Sequence, residues 1–218
     1  MASSPVGLSP LQQDLLREFF ARERRFVLTG GGALVGFHLR HRTSQDLGLF
    51  TKPPTGLAEG RQALTAAVTA LGGSMEAVKT FPEFQRLLVR RGGETVLVDL
   101  VVDRAPDVDA VEDRQGIRLH SLREIAANKI CALLGRGEIR DLVDLREILE
   151  RGLDLASVVS DAERKDGGVS AATLAWLLDS IRIAGNATPP GDIAPATLES
   201  FRVDLVRRLR ALGKPPGP

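Results

Sequence analysis

A run of three glycines between two apolar segments constrains this chain more than any other feature. Residues 26–29 read FVLT, Gly30, Gly31 and Gly32 follow, and residues 33–39 have helical character before HRTSQ leads into DLGLF. The pattern predicts a strand, a glycine turn, a helix and a second strand. Such a turn can hold phosphate with free backbone N–H groups and the helix dipole. Alternatively, the glycines only permit a tight turn and close packing of helix on strand.

The second strand of this unit carries one acidic residue that faces a glycine. Side chains alternate along a strand, so Asp46 and Gly48 share one face while Leu47 and Leu49 point to the other. An aspartate at position 48 would complete a pair of metal ligands. The glycine found there leaves Asp46 as the one carboxylate of this strand.

The remaining pattern predicts an α+β fold: a mixed β-sheet with flanking helices, followed by a helical C-terminal domain. The sheet region begins with an amphipathic helix whose apolar residues lie within residues 11–20. We expect a helix near residues 57–71 and strands near 75–80, 84–90, 95–102 and 117–119, with Gly92 and Gly93 joining two of them as a hairpin. Further helices are expected near residues 121–134, 138–150, 170–184 and 195–211. We therefore predict two domains, residues 1–120 and 121–218.

Composition excludes several classes of protein. The 29 basic and 28 acidic residues provide no basic tail for nucleic acid, and one cysteine, Cys131, cannot form an internal disulfide or a multi-cysteine zinc site. No secretory signal or membrane-spanning run is evident, so a cytoplasmic protein without a membrane partner is expected. The glycines are followed by no Walker A lysine, and no G-x-S-x-G elbow occurs, which argues against P-loop and serine-hydrolase chemistry.

The glycine segment resembles the first motif of the DNA polymerase beta-type nucleotidyltransferases, and more closely the AbiEii and MenT toxin family of bacteria. That family reads approximately GGTAL and HRxSxDLDLF, where this chain has GGGAL and HRTSQDLGLF. VLVDLVVD resembles the strand that bears the third carboxylate. SLREIAANKICALLGRGEIRDLVDL resembles the family's lysine-bearing helix and the helix after it. The likeness covers roughly residues 24–150 and implies a nucleotidyltransferase fold.

The resemblance also implies roles for individual residues. Asp46 and Asp99 would hold Mg²⁺, with Asp99 as the candidate general base. The backbone of Gly30, Gly31 and Gly32 would cradle a nucleoside triphosphate. The remaining residues would lie near the phosphates and the nucleotide: Lys129, Asp141 and Asp144. The implied reaction transfers a nucleotide to an acceptor hydroxyl on tRNA or on a small molecule, and the implied protein partner is an antitoxin.

Two positions depart from the family pattern. Gly32 stands where the family has Ser or Thr, and Gly48 stands where it has the second Asp. Glycine offers no oxygen to Mg²⁺, so the two-metal site is incomplete. Asp103 is a poor replacement, because it lies four residues, roughly 13 Å, beyond Asp99 along the strand. Two hypotheses follow. The first is an active transferase; the second is a catalytically silent module that binds nucleotide, RNA or a partner, or a member repurposed for a small-molecule substrate in other chemistry.

Several candidate residues also have a structural interpretation. Lys129 could be a lysine that extends its amine from the edge of an apolar helix. Asp141 and Asp144 could form a salt-bridged face with Arg136 and Arg140. His38 and His41 could bind a metal, but no further ligand lies near them in the sequence, so a structural or phosphate-contacting role is favoured. The basic last helix could contact RNA or simply face water.

Overall fold

The computed structural model describes residues 7–52 and 56–213, and these residues fold as two compact units. Met1–Arg104 and Asp109–Ser121 form the first unit; Ala105–Val108 and Leu122–Pro218 form the second. The predicted α+β class, with a mixed sheet followed by helices, is confirmed. The predicted division after residue 120 differs from these units at Ser121, which belongs to the first unit, and in the short segment Ala105–Val108, which belongs to the second.

A single seven-stranded sheet organises the described part of the first unit. Its strands are β1 (Val27–Thr29), β2 (Asp46–Thr51), β3 (Ser74–Phe81), β4 (Phe84–Arg91), β5 (Glu94–Val102), β6 (Glu112–Arg114) and β7 (Ile117–Leu119). They are arranged in the order β3-β4-β5-β2-β1-β7-β6. The β2–β5 and β1–β7 pairs are parallel, and the other neighbouring pairs are antiparallel. The sheet is therefore mixed, as expected.

The two faces of the central strands differ in burial, because alternate side chains point in opposite directions. On β2, Leu47 and Leu49 are buried while Asp46 and Gly48 are half-buried, and β5 alternates in the same way around Asp99. Helices α1 (Pro10–Phe20) and α3 (Gly56–Ala70) contact β5 and contribute buried apolar residues. The apolar core thus occupies one face, and the polar candidate residues occupy the other.

The helix after the glycine turn begins earlier than the sequence predicts. It starts at Gly30 as α2 (Gly30–Ala33) and widens into a π-helical turn at Leu34–His38, where the Leu39 N–H donates to the Leu34 carbonyl at 2.8 Å. Gly30 has φ +63, in the left-handed region that glycine adopts without the penalty of a Cβ. This glycine therefore lets the chain leave β1 and enter the helix at once.

Gly92 and Gly93 form the predicted hairpin turn between β4 and β5. Their φ values are 55 and 88, as a two-residue turn that matches strand twist requires, and Arg91 pairs with Glu94 across it. A second hairpin was not predicted, because β6 (Glu112–Arg114) has no apolar pattern. It pairs with β7 through the turn at Gln115 and Gly116, whose φ values are also positive.

The second unit is helical, as predicted. Its helices are α4 (Leu122–Arg136), α5 (Ile139–Glu150), α6 (Leu155–Lys165), α7 (Ala171–Ser180) and α8 (Pro195–Leu212). The sequence interpretation missed α6 and extended α7 too far.

Glu124 at the start of α4 connects two other parts of this unit. It binds Lys165 at the end of α6, and it accepts a 2.6 Å hydrogen bond from the Val108 N–H, which links Ala105–Val108 to the helices. Among the described residues, no helix is long and apolar enough to cross a membrane.

Candidate active site

A row of four residues crosses the open face of the sheet. Thr29, Gly48, Asp99 and Arg86 lie directly opposite one another on β1, β2, β5 and β4. Residues paired in this way point to the same face, and Asp46 joins them because it precedes Gly48 by two positions. The register therefore brings the two predicted carboxylates, Asp46 and Asp99, to one side of the sheet.

Gly48 lies in the middle of this row, between Thr29 and Asp99. A Cβ added there would meet Phe50 Cε1 at 3.4 Å and Thr29 Cγ2 at 3.7 Å, which is ordinary van der Waals contact. Gly48 does not have the positive φ that would favour glycine. Backbone geometry and packing do not require a glycine here, so the position could accommodate a larger residue.

Arg86 binds both oxygens of Asp99. Its Nε donates to Oδ1 at 2.7 Å and its Nη2 donates to Oδ2 at 2.7 Å, which is a bidentate ion pair. The side chains of Arg86 and Asp99 are 32% and 14% exposed. The hydrogen bonds to Asp99 raise the pKa of Arg86, and the charge of Asp46 adds to this shift. A guanidinium thus lies beside the carboxylates for which the family resemblance implies a metal.

The sequence interpretation did not single out Arg86, although a signal for it was present. Gly92 and Gly93 form the two-residue turn of this hairpin, so the residues that flank the turn, Arg91 and Glu94, lie opposite each other. Five residues further from the turn on each strand, the same register places Arg86 opposite Asp99. The turn therefore specified the contact. Charge pairing across neighbouring strands was the missing consideration.

Ser44 holds the carboxylate of Asp46. Its Oγ donates to Asp46 Oδ1 at 3.0 Å and lies 3.1 Å from the Asp46 carbonyl oxygen. Ser44 and Arg42 are both buried, and both lie beside the glycine turn. A Cβ at Gly31 would approach Arg42 Nη2 and Ser44 Oγ to 3.0 Å each. Gly31 therefore lets a guanidinium and a hydroxyl come close to the start of α2.

Gly32 faces the core. A Cβ there would meet Leu47 Cδ2 at 3.1 Å and the Asp46 carbonyl oxygen at 3.3 Å. A serine at this position would point its side chain into packed β2 atoms. Because a side chain at position 32 would point into the core, a phosphate at the turn could be contacted from this position by the backbone N–H and not by a side-chain hydroxyl.

Two histidines support the end of the row at β1. His120 Nδ1 lies 2.9 Å from Thr29 Oγ1, and His38 Nε2 donates to the His120 carbonyl oxygen at 3.0 Å. Burial lowers the pKa of His38 and favours its neutral form. His38 thus joins the π-helical turn to the end of β7.

Lys129, Asp141 and Asp144 lie in the second unit, where they form a buried cluster. Lys129 Nζ is 2.8 Å from Asp141 Oδ1 and 2.5 Å from Asp144 Oδ2. The lysine side chain is 6% exposed and the two aspartates are fully buried. Arg136 donates two further hydrogen bonds to Asp141. These residues join α4 to α5, and the lysine is not at an exposed helix edge.

Opposing effects act on the pKa of Asp141. Burial alone would raise it, but the hydrogen bonds from Arg136 and the charge of Lys129 outweigh burial and lower the pKa below its usual value. Asp141 is therefore held as a carboxylate. Its negative charge balances part of the positive charge of Lys129 and Arg136.

The residues of the first unit do not fit a two-metal centre. Gly48 offers no ligand atom, and both oxygens of Asp99 already accept hydrogen bonds from Arg86. Asp103 lies four residues beyond Asp99, the residue opposite Gly48, and its Oδ2 is 3.3 Å from Lys52 Nζ. A centre in which a shared carboxylate bridges two Mg²⁺ ions has no such carboxylate among these residues.

Comparison with known proteins places the chain in a family. Residues 14–211 match the family described as nucleotidyl transferase AbiEii toxin, Type IV TA system. The chain belongs to this family. The nucleotidyltransferase-like, toxin-type assignment expected from the glycine segment is thereby confirmed. The match also extends well beyond the roughly 24–150 region in which the resemblance was recognised.

Solved structures support the same fold. JHP933 from Helicobacter pylori has a TM-score of 0.58 and 22% sequence identity, over 94% of this chain and 93% of that one. MenT4, a nucleotidyltransferase toxin from Mycobacterium tuberculosis H37Rv, has a TM-score of 0.55 and 16% identity, over 94% and 87% of the two chains. No curated protein matches the sequence. At these identities the structural likeness concerns the fold.

Proposed function

We propose that this AbiEii-family protein binds a nucleoside triphosphate at its glycine turn but does not transfer nucleotides by the two-metal route. The observation that carries this proposal is the row in which Gly48 stands beside Asp99 and Arg86 occupies both Asp99 oxygens. The fold would supply the phosphate site, while the carboxylate arrangement that Mg²⁺ requires is missing.

Phosphate binding is supported by the groups around the start of α2. The first N–H groups of a helix have no partner within it, so those of Gly30 and Gly31 could donate to phosphate oxygens. Arg42 lies beside Gly31 and adds positive charge close to the turn. The part of the site at Gly30 has room for a ligand, because a Cβ there would meet no atom within 4 Å.

Nucleotide transfer to a hydroxyl of tRNA or of a small molecule is the second candidate function. It is favoured by the retention of Asp46 and Asp99 on one face of the sheet and by the hydrogen bond through which Ser44 orients Asp46. In an enzyme of this kind Mg²⁺ would have to bind Asp99 beside the Arg86 guanidinium, against the repulsion of its positive charge. This requirement is why we rank transfer below binding.

Two measurements test the proposal. Calorimetric titration of the full chain with ATP, GTP, CTP and UTP reports binding, and incubation with labelled triphosphates, Mg²⁺ or Mn²⁺ and total tRNA reports transfer. We expect binding of at least one triphosphate and no label transfer by the wild type. Transfer that the Asp46→Ala variant abolishes would establish the second candidate instead. The Gly48→Asp variant tests whether the missing carboxylate is what limits transfer, with Gly48→Ala as its uncharged control.

An antitoxin partner is supported by the assignment of the family to type IV toxin–antitoxin systems. If the protein acts as a toxin through nucleotide transfer, its expression in bacteria should arrest growth, and the Asp46→Ala variant should not. Binding without transfer predicts equal growth of the two strains. Co-expression of a neighbouring gene that relieves an arrest would identify the antitoxin.

A further inference from the structure

We propose that nucleotide binding to this protein does not depend on a divalent cation, because the guanidinium of Arg86 supplies positive charge on the face of the sheet that carries Asp46 and Asp99. The inference rests on the proposed function, since it concerns the same site. It follows from the disagreement between the two-metal centre that the family implies and the residues present here. The proposed ligand is a nucleoside triphosphate whose phosphates carry no bound divalent cation.

The hydrogen-bonding capacity of Arg86 carries the inference. A guanidinium has five N–H donors, and Arg86 uses two of them on Asp99. Within residues 7–52 and 56–213 the other three donate to no protein group. The Arg86 side chain is 32% exposed on the open face of the sheet. These three donors can therefore reach an anion from solvent while Asp99 fixes the orientation of the guanidinium plane.

Lys79 adds a second positive charge at the edge of this face. It lies directly opposite Arg86 on β3, so the two side chains point to the same side of the sheet. In the described part of the chain, Lys79 forms no ion pair. The row thus combines the cations Lys79 and Arg86 with the anions Asp99 and Asp46. The positive charges of Lys79 and Arg86 offset part of the negative charge of Asp99 and Asp46 on this face.

Competition for Asp99 gives the inference its physical basis. Arg86 takes one lone pair of each Asp99 oxygen, so a divalent ion bound to Asp99 would lie close to the guanidinium and be repelled by its positive charge. Arginine stays charged at any physiological pH, so loss of a proton cannot release the carboxylate. An anionic ligand faces no such barrier, because it can bind the N–H groups that Asp99 leaves unused.

The test measures nucleotide affinity with and without divalent cation. ATP, GTP, CTP and UTP are titrated into the full chain in excess Mg²⁺ and in EDTA, and we expect the affinity of the bound nucleotide to be similar in both. The Arg86→Gln variant should weaken binding about tenfold to a hundredfold in both buffers, because charge-assisted hydrogen bonds to phosphate are lost. Arg90→Gln is the matched control. Arg90 lies on the same strand and is bound to Glu76, and its loss should leave affinity unchanged.

A double variant guards against a folding defect. The single variant Arg86→Gln leaves the charge of Asp99 without the guanidinium that balances it. The double variant Arg86→Gln with Asp99→Asn removes both charges, so the net charge of the site does not change. We expect both variants to have the circular dichroism spectrum of the wild type and to bind nucleotide weakly. Binding that disappears in EDTA, or wild-type affinity in both Arg86 variants, would overturn the inference while leaving the proposed function intact. Absence of triphosphate binding in both buffers would overturn the proposed function and the inference together.

Discussion

Arg86 and Asp99 lie directly opposite each other on β4 and β5, and the guanidinium binds both carboxylate oxygens at 2.7 Å. On the other side of Asp99 lies Gly48, at the position for which the family resemblance implies an aspartate. The two features are complementary. Gly48 provides no second carboxylate beside Asp99 for a metal ion. The carboxylate of Asp99 is bound by the Arg86 guanidinium instead.

Gly48→Asp should make the stability of the protein depend on Mg²⁺. The Cβ has room, but the new carboxylate would face Asp99 and Asp46, and like charges at this spacing repel. We expect the free energy of unfolding to fall by about 1 kcal/mol in EDTA and to recover in Mg²⁺. Urea denaturation in both buffers measures the difference. Gly48→Ala should show no response to Mg²⁺, and an equal response of both variants would contradict the explanation.

Gly32→Ser should destabilise the protein without improving nucleotide binding. The added Cβ would lie 3.1 Å from Leu47 Cδ2 and 3.3 Å from the Asp46 carbonyl, so neighbouring atoms must shift. Overpacking of this kind costs about 1 to 3 kcal/mol. Thermal unfolding measures the loss, and calorimetry measures affinity. Gly135→Ser is a suitable control, because its Cβ would meet no atom within 4 Å; tighter nucleotide binding by Gly32→Ser would show that the hydroxyl reaches phosphate after all.

Lys129→Met should strongly destabilise the second unit. The amine lies between two fully buried carboxylates, Asp141 and Asp144, and its removal leaves both without this partner. Loss of one member of a buried charge cluster costs about 3 to 5 kcal/mol. Chemical denaturation followed by circular dichroism measures this loss. Lys79→Met should change stability by less than about 0.5 kcal/mol, because Lys79 is exposed. Similar values for the two variants would argue against the buried cluster.

Stability should fall at acidic pH in part through Asp141. Its pKa is lower in the folded protein than in the unfolded chain, so its contribution is complete above the unfolded pKa of about 3.9 and is lost as pH falls through the folded pKa. The difference in unfolding free energy between wild type and Asp141→Asn should thus be constant near neutral pH and shrink below about pH 4. Urea denaturation across this pH range tests the sign. A difference that widens on acidification would contradict it.

Local pattern was sufficient for most of the fold. The alternation around Asp46 and the glycine turn identified β1 and β2, and the pair Gly92 and Gly93 identified the β4–β5 hairpin. Two elements were missed. The signal for α6 was present, because Asp154 caps the helix and Leu155, Val158, Val159 and Ala162 lie at helical spacing on its buried face. The residues of β6 are all charged, and pairing with β7 makes them a strand.

The candidate site likewise contains some features that the sequence determined and others that only the tertiary structure decided. The sequence alone determined that Asp46 and Gly48 share one face, and the family resemblance implied a carboxylate at position 48. The two-residue turn also fixes the pairing of Arg86 with Asp99, although the sequence analysis did not predict it. Only the tertiary structure decided that Gly48 lies beside Asp99 and that Lys129 is buried between Asp141 and Asp144. A parallel strand pair and a helix–helix contact join distant segments, and their registers are set by packing of the whole core, which no local pattern encodes.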